Sequence, residues 1–505
     1  MAQEILIPSA NNVKDEVLFS NKSKAIIGDG FFPISYTKAN YYLPNKDTLK
    51  ERNWVIRKMF KEHFVQIVKD KYFLAIDPLF NVAIGKDALQ SENSYLYQNT
   101  RGAQAFGSIQ GILSFYTAFY ENQARFSEFQ NEYFKDRGEL YPTASGYTKD
   151  NAVIPSGGRT KPFKTDGFDY ASAVSYVRLT PIKELVIQFG NMPRFFGWGY
   201  RSMLLSDNSY NYTHLAIDWE IAPGLTYTFM RGKQLNLSRK KHTSFVEKPY
   251  ERKGIGVHYL SYRVFPSLVI GLFESTIYLR DEAESSQRVN PVFYNPIIGL
   301  NTVVKGFEKV DVKNILGLNA AWKFHPQHMV YLQAVSDQLK KFEFGFQLGY
   351  KAGNLFNVDH LNFQLEYNQA SNSLYAAENQ RMAYTHFNLP LAHTLGNGFK
   401  ELVVRANYKW KSIYIDASAV YYRANQTMKD KSNLFQSKSI AGTENLVNVF
   451  NGNVELGYEF NPATQFRAFV SANYRRANSA NEGLSSQGII MIGMRSALTN
   501  RYFDF

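Results

Sequence analysis

The chain contains no cysteine among its 505 residues. A disulfide framework, a thiolate metal site and a cysteine nucleophile are therefore excluded together. The sequence also lacks any run approaching the roughly 18 consecutive apolar residues that a membrane-spanning helix requires. These absences exclude a helical membrane protein and leave two classes. One is a soluble all-β protein, and the other is a transmembrane β-barrel, whose spans alternate and therefore average to mild hydrophilicity.

Catalytic and metal-binding patterns are missing as well. The nine histidines form no H-E-x-x-H motif, and no G-x-S-x-G elbow is present. The formal charge is +13, but the basic residues are spread over the chain without the tract that nucleic-acid binding needs. We therefore expect no enzymatic activity, no cofactor, no metal and no nucleic-acid partner. The positive charge instead suits contact with anionic sugars and lipid headgroups.

Aromatic residues are abundant: 39 Phe, 34 Tyr and 5 Trp make up 15% of the chain. Large rings are favoured where one end is dry and the other wet, as at a membrane interface. Many of them belong to segments with a period of two, which is typical of β-strands. In residues 361–368 one face carries Leu361, Phe363, Leu365 and Tyr367, and the other carries Asn362, Gln364, Glu366 and Asn368.

A soluble sandwich also alternates, but three features favour a membrane barrel. The segments are about ten residues long, as a tilted span requires, rather than the usual five or six. Aromatic residues such as Tyr408 and Trp410 stand at segment ends, where interfacial girdles lie. Connections alternate between very short, as at Lys411, and long, as over 425–448. We find about seventeen segments, and because single-chain bacterial barrels use even numbers, we predict an antiparallel transmembrane β-barrel of sixteen or eighteen strands over residues 71–505.

The first 70 residues differ from the rest. Residues 1–45 are irregular and contain no apolar signal-peptide core, so export implies that a signal has been removed. Over 46–69 the period becomes helical, with Ile56, Phe60 and Phe64 on one face. We predict a periplasmic segment over 1–70 whose helix packs on protein at the barrel rim, with a membrane-surface helix as the alternative. The final Phe505 follows a strand-like stretch and resembles the assembly signal of bacterial outer-membrane barrels.

The segment from Phe189 to Trp219 reads FGNMPRFFGWGYRSMLLSDNSYNYTHLAIDW. It resembles the Wzi family of outer-membrane capsule-assembly proteins, through a glycine-flanked aromatic turn and the serine- and leucine-rich run that follows. The matching residues are Gly197, Trp198, Gly199, Arg201, Ser202, Leu204, Leu205, Ser206, Asp207 and Asn208. Other blocks, including YFLAIDPLFNVAIG at 72–85, are similar to the branch of that family found in gliding Bacteroidota, which includes the gliding-motility barrel RemB.

This resemblance covers most of the chain from residue 70 onward. It implies an 18-stranded barrel in the outer membrane of a Gram-negative bacterium, with periplasmic helices. It also implies a role in retaining or organising surface polysaccharide. With the pattern of the strands, it makes eighteen strands the preferred number and sixteen the alternative.

The same block supplies the candidate ligand-binding residues. Gly197 and Gly199 allow backbone conformations that other residues disfavour, so they predict a tightly folded aromatic element near 190–210. One interpretation is a plug or strand connection braced inside the barrel by arginines. The other is a carbohydrate platform, in which aromatic rings stack on sugars and arginines pair with uronate or phosphate groups. The candidates for polysaccharide contact are Arg194, Trp198, Tyr200, Arg201, Asp207 and Asn208.

The predicted function is that of a non-enzymatic outer-membrane barrel associated with the attachment or assembly of capsular polysaccharide. Its expected partners are membrane lipid, an anionic surface polysaccharide, and other outer-membrane or periplasmic proteins of a motility or secretion complex. The alternative is a structural subunit of such a complex. A diffusion channel is a third possibility, but it demands a lumen free of bulky fill.

Overall fold

The structure is a computed structural model that describes residues 6, 10–19, 23–35, 53–90, 95–144, 146–240, 249–280, 289–338, 343–425, 446–479, 483–496 and 501–505. Eighteen antiparallel strands close into a barrel, because residues Ile489 to Arg495 of the last strand pair with Asp87 to Asn81 of the first. The strands are β1 Tyr72–Asp87, β2 Tyr95–Ile109, β3 Leu113–Arg125, β4 Gly167–Ile182, β5 Leu185–Asn191, β6 Thr213–Ala222, β7 Leu225–Arg239, β8 Tyr250–Phe265, β9 Leu268–Leu279, β10 Val312–His325, β11 His328–Gln338, β12 Glu343–Ala352, β13 Leu361–Ala370, β14 Phe399–Trp410, β15 Ile413–Asn425, β16 Leu446–Asn461, β17 Phe466–Ser479 and β18 Gly483–Arg495.

The prediction of an 18-stranded barrel is confirmed, and the strand that the sequence pattern missed can be identified. Alternation over 103–121 suggests one long strand, but the chain reverses at 110–112 between β2 and β3. Gln110 and Gly111 adopt positive φ values of 54° and 72° there, which is the geometry of a tight turn. Apolar residues continue on both sides of this turn, so hydrophobic alternation alone does not reveal it.

Connections of very different length lie at the two ends of the barrel. One end has short turns, among them 183–184, 223–224 and 411–412, where Lys411 has a φ of 55°. The other end carries the long connections 126–166, 192–212, 280–311 and 371–398. In outer-membrane barrels the short turns are periplasmic and the long loops are external. We orient the barrel accordingly.

The barrel wall is apolar outside and polar inside. Exposed aliphatic side chains such as Ile84, Leu456 and Ile492 cover the outer face, and Trp219, Tyr262, Trp322 and Trp410 mark its short-turn edge. On β13, Leu365 points outward, whereas Asn362, Gln364, Glu366 and Asn368 are buried on the lumen side. The predicted faces of this strand are therefore confirmed. A closed wall with this polarity is a transmembrane barrel, and it places the protein in the outer membrane of a Gram-negative bacterium.

In the part of the chain that the structure describes, four α-helices accompany the strands. They are α1 Asn11–Phe19, α2 Trp54–Phe60, α3 Glu128–Asp136 and α4 Leu300–Lys305. Within the described residues, no helix has the length and apolar character needed to cross a membrane. Single turns of 3-10 helix occur at Pro291–Tyr294, Leu355–Asn357 and Gln380–Met382.

Short strands link the loops to each other and to the wall. Small antiparallel pairs are Phe31–Phe32 with Phe195–Phe196, Glu139–Thr143 with Gly146–Asp150, Val153–Ile154 with Gly158–Arg159, and Thr385–His386 with Leu389–Pro390. Lys161–Phe163 pairs with β4, and Glu308–Lys309 pairs with β10.

The helix predicted over 46–69 is shorter than expected. Only α2 forms within it, while residues 46–52 lie outside the described residues. Val65–Lys69 is instead a strand that pairs with the start of β1. The exposure of its side chains alternates from one residue to the next, as expected for a strand at the edge of a sheet. At the short-turn rim, Asn461 Nδ2 donates hydrogen bonds to the carbonyl oxygens of Lys58 and Glu62, at 3.1 and 2.9 Å. The C-terminal end of α2 therefore contacts β16, while no residue of this helix is buried and Trp54, Ile56 and Met59 are exposed, so the choice between packing on protein and lying on the membrane surface stays a prediction.

The described residues 10–19 and 23–35 lie in the lumen. Asp15 of α1 forms ion pairs with Lys351 of β12 at 2.6 Å and with Arg405 of β14 at 3.5 Å. Lys323 of β10 donates a hydrogen bond to the carbonyl oxygen of Leu18 at 2.8 Å. This location differs from the periplasmic one expected for residues 1–70, because buried wall charges pair with α1. The division of the chain at residue 70 stays a prediction.

Phe505 also lies inside the barrel and not on the last strand. β18 ends at Arg495, and the Phe505 ring stacks on Tyr133 with 3.5 Å between ring centroids. Arg475 Nε on β17 donates to the Phe505 carbonyl oxygen at 3.0 Å. Phe505 therefore does not occupy the position on the final strand that an assembly signal would have. It is buried among aromatic residues of the 126–166 loop, such as Phe129 and Phe134.

We expect Leu365→Arg to destabilise the barrel by about 2 to 4 kcal/mol, because the new charge faces lipid near the bilayer midplane. Asn362→Ala is the control on the lumen face of the same strand, where it removes one hydrogen bond to Asn407 and should cost about 1 kcal/mol. Urea unfolding in lipid vesicles measures both values. A larger loss for the lumen variant would show that the faces are assigned wrongly.

Candidate functional site

Residues 192–212, which connect β5 to β6, fold into the lumen, and we call them the plug. Phe195 and Phe196 of the plug pair as a short strand with Phe32 and Phe31 of the N-terminal residues. Leu204 and Leu205 are fully buried in the same core. A barrel of 16 to 18 strands is wide enough for an aqueous channel. In this protein the plug fills part of that space.

Two glycines let the plug approach the wall closely. Gly197 has a φ of 136°, and a side chain there would collide with the amide of Gln333 on β11. A Cβ at Gly199 would lie 2.5 Å from both Gln347 Oε1 and Glu366 Oε2. The tightly folded element that the sequence predicts here therefore depends on a positive φ and close approach at Gly197, and on close approach alone at Gly199.

Polar side chains of the wall hold the backbone of the plug. Gln333 donates to the Phe196 carbonyl oxygen at 2.9 Å and accepts from the Met203 N–H at 2.8 Å. Gln347 Nε2 donates to the Arg201 carbonyl oxygen at 2.9 Å, and Glu366 accepts from the Tyr200 N–H at 2.7 Å. These bonds matter because a buried backbone group without a partner is costly.

Arg201 is the charged centre of the plug and is fully buried. Its Nη2 lies 3.2 Å from Glu401 Oε1 on β14 and 3.0 Å from Asp504 Oδ1, and its Nη1 donates to Thr394 Oγ1. Burial alone lowers the pKa of this guanidinium, but Asp504 and Glu401 outweigh burial and raise the pKa above its usual value. Arg201 is therefore a cation that joins the plug, the wall and residues 501–505.

Trp198 and Arg194 are braces of the plug. The Trp198 side chain is about 1% exposed and meets the Phe32 ring edge-on at 5.7 Å between centroids. Arg194 Nη2 donates to both carboxylate oxygens of Asp218 on β6, at 3.0 and 3.1 Å. A ring this buried offers no face to a sugar, so the geometry favours the structural interpretation for these two residues.

The other predicted residues belong to the same element. Asp207 accepts a hydrogen bond from the Tyr502 hydroxyl at 2.8 Å, and Asn208 Nδ2 donates to the Pro390 carbonyl oxygen at 3.4 Å. Tyr200 donates to Asp504 at 2.9 Å and also borders an open space beside the plug. Among the six predicted residues, it is the one that lines this space.

That space is a cavity of about 480 Å³ between the plug and the opposite side of the wall. Tyr116, Tyr120 and Tyr200 supply rings, and Arg405 and Arg467 supply guanidinium groups. Amide side chains also line it, on four strands: Asn81, Gln98, Asn451, Asn453 and Asn473.

Several of these lining groups retain hydrogen-bonding capacity. Asn451 is about 1% exposed, and its Nδ2 has no hydrogen-bond partner among the described residues, although its Oδ1 accepts from Asn473 at 2.7 Å. Arg467 donates from Nε and Nη2 to Glu459, and among the described residues its Nη1 has no such bond. The cavity therefore suits a ligand rich in hydroxyl or carboxyl groups.

Sequence reasoning did not select the amides of the cavity as site residues. The available signal was the lumen face of the alternating strands, on which Asn451 and Asn453 occupy successive inward positions of β16. Their proximity to Asn81 and Gln98 depends on closure of the barrel between β18 and β1. Alternation gives the inward face of each strand, but it does not give this neighbourhood.

No family model matches the chain, and no curated protein is similar to it in sequence. Among solved structures, the chain is similar to Wzi of Escherichia coli, described as an outer membrane protein involved in group 1 capsule assembly and a carbohydrate-binding β-barrel. The TM-score is 0.56 at 12% identity, and the match covers 98% of this chain and 100% of that chain. At this identity the similarity establishes a shared barrel fold.

Two other outer-membrane barrels match less well. One is Pseudomonas aeruginosa OprD, with a TM-score of 0.41 and 11% identity; the match covers 88% of this chain and 98% of that chain. The other is Acinetobacter baumannii OccAB2, with a TM-score of 0.43 and 9% identity; the match covers 84% of this chain and 97% of that chain. None of these similarities supports the narrower resemblance to the Bacteroidota branch or to RemB.

We expect Trp198→Ala to destabilise the protein by about 3 to 5 kcal/mol, because it leaves a cavity in a closely packed core. Trp410→Ala is the matched control, since Trp410 is about 55% exposed on the outer face. The heat-dependent gel shift of outer-membrane fractions measures the folded amount of each variant. Normal assembly of the Trp198 variant would contradict its role as a brace.

Asp504→Asn should loosen residues 501–505, because it neutralises the carboxylate that lies 3.0 Å from the buried Arg201 guanidinium and leaves this cation with one fewer carboxylate partner. The expected result is faster hydrogen exchange in this segment while the strands remain protected. Asp166→Asn, which breaks an exposed 3.3 Å pair with Arg125, is the control and should change stability by less than about 1 kcal/mol. Equal exchange in the two variants would mean that Asp504 does not anchor the segment.

Proposed function

We propose that the protein is a non-enzymatic outer-membrane barrel that binds surface polysaccharide and contributes to its attachment or assembly. The observation that carries this proposal is the cavity beside the plug, where amides, tyrosine rings and arginines converge. The plug occupies one side of the lumen and narrows the passage through it, which argues for a binding role over free diffusion. The fold shared with Wzi, whose description names carbohydrate binding, supports the same direction.

The chemistry of the cavity fits a sugar. Amide groups can donate to and accept from hydroxyl groups, and tyrosine rings can pack on the apolar faces of pyranose rings. Arg405 and Arg467 are each paired with a carboxylate, at 3.5 and 2.7 Å, but the cavity is also lined by further charged residues with an excess of arginine: Arg125, Arg495, Arg501, Asp416 and Asp504. Remaining guanidinium donors can still bind occasional uronate or phosphate groups. An anionic polysaccharide therefore remains the proposed partner.

The experiment is a binding measurement on an array of bacterial surface oligosaccharides, using the purified full-length barrel in detergent. Asn453→Ala is the informative variant, because Asn453 faces the cavity and its amide has no hydrogen-bond partner among the described residues. We expect folding to be unchanged and affinity to fall roughly tenfold, as for loss of one or two hydrogen bonds.

Val454→Ala is the matched control, since the adjacent side chain points to lipid from the same strand. The proposal fails if neither the wild-type protein nor the control binds any oligosaccharide. Such a result combined with large single-channel conductance in a planar bilayer would indicate a diffusion channel. Absence of both activities would favour the alternative, a structural subunit of a motility or secretion complex.

A further inference from the structure

A cluster of polar side chains lies on the outer face of the barrel, where lipid is expected. The exposed side chains of Tyr262 on β8 and Leu272 on β9 point outward. His258 and Glu274 are an even number of residues away from them on the same strands, so their side chains also lie on the outer face. His258 and Glu274 are direct cross-strand partners, and Arg231 of β7 lies beside them. We call Arg231, His258 and Glu274 the outer polar cluster.

The outer polar cluster lies within the apolar belt. Glu274 is four residues along β9 from Ile270, whose cross-strand partner Tyr262 marks the short-turn edge. Four residues of strand span about 13 Å, which is a large part of a belt roughly 25 Å tall. Elsewhere on the wall, outward side chains between the aromatic edge and the opposite end of the strands are aliphatic, as at Val454, Leu456 and Ile492. Charges facing lipid here are strongly unfavourable.

Residues 289–306, from the long connection between β9 and β10, cover this cluster. Glu274 is fully buried and accepts hydrogen bonds from the N–H groups of Gly299 and Thr302, at 2.7 and 3.0 Å, and from Thr302 Oγ1 at 2.7 Å. Arg231 donates to the carbonyl oxygens of Phe293 and Asn295, at 2.7 and 2.9 Å, and to His258 Nε2 at 2.8 Å. We call residues 289–306 the covering segment.

The covering segment also directs much of its own backbone polarity toward the wall. The Gly306 carbonyl oxygen accepts from Asn314 Nδ2 on β10 at 2.6 Å, and the Pro296 carbonyl oxygen accepts from the Tyr227 hydroxyl. Within α4 the Val303 N–H donates to the Gly299 carbonyl oxygen at 2.9 Å. Irregular backbone is tolerated at membrane depth only when it is satisfied by protein in this way.

The opposite face of the covering segment is apolar and exposed. Val303 is about 82% exposed, and Tyr294, Ile297 and Val304 are each more than half exposed. This face continues the lipid-facing surface formed by Leu272 and Leu318 on the adjacent strands. The occupant that matches an apolar surface continuous with the barrel belt is the hydrocarbon of the outer leaflet.

We propose that the covering segment is embedded in the outer leaflet, where it contacts acyl chains with Val303 and Val304 and shields the outer polar cluster from lipid. It is thus a lipid-binding surface built from an external loop. This inference is independent of polysaccharide binding, because the segment lies outside the lumen.

The absence of cysteine permits a direct test with single labels. Val303→Cys, Leu318→Cys and Lys161→Cys are each labelled with an environment-sensitive fluorophore, and each barrel is placed alone in a nanodisc of phosphatidylcholine containing doxyl-labelled lipid. Leu318 is the lipid-facing control, and Lys161, exposed in the 126–166 loop, is the water-facing control. The heat-dependent gel shift verifies that each labelled variant is folded.

We expect doxyl lipid to quench the label at position 303 about as strongly as at 318 and several-fold more than at 161. Aqueous iodide should show the opposite order. The proposal is overturned if the label at 303 behaves like that at 161. It is also overturned if the label is protected from both quenchers, because protein would then cover this face. Val304→Cys provides a second reading if the variant at 303 assembles poorly.

Discussion

The structure depends on hydrogen bonds between the wall of the lumen and the backbone of the plug. A closed wall of eighteen strands leaves more space than its own side chains fill, and irregular chain can occupy that space only if its polar groups find partners. Gln333, Gln347 and Glu366 on three consecutive strands provide them. The polar inner face of the strands is therefore a binding surface for the plug as well as a boundary of the lumen.

This constraint explains why the plug is so deeply buried. Trp198 contacts Phe32 of the N-terminal residues, and Arg201 contacts Asp504 of residues 501–505. The plug lies toward one side of the barrel, and the amide-lined cavity occupies the remaining space. The amides that retain hydrogen-bonding capacity lie on the wall, whereas Tyr200, Tyr502 and Asp504 both hold the plug and line the cavity.

The predictive power of the sequence follows the physics of each element. Alternation around Leu365 predicts the faces of the wall, since one side must meet lipid and the other must not. It fails at Gln110, where a tight turn interrupts what looks like one long strand. It also fails at Val65, which begins a short strand in a stretch whose apolar residues suggest a helix. It also gives no sign that Glu274 faces outward under a loop, because contacts between distant segments decide that burial.

The seam between β1 and β18 has a consequence for the order of folding. It joins residues far apart in the chain, as in the bond from the Gly488 N–H to Asp87, which spans 401 positions. Most other strand pairs are hairpins or nearby neighbours, and loop-closure entropy favours such local pairings first. We expect the wall to grow as an open, curved sheet whose polar concave face already binds the plug. The plug then acts as a template that sets the curvature at which the two edges can meet.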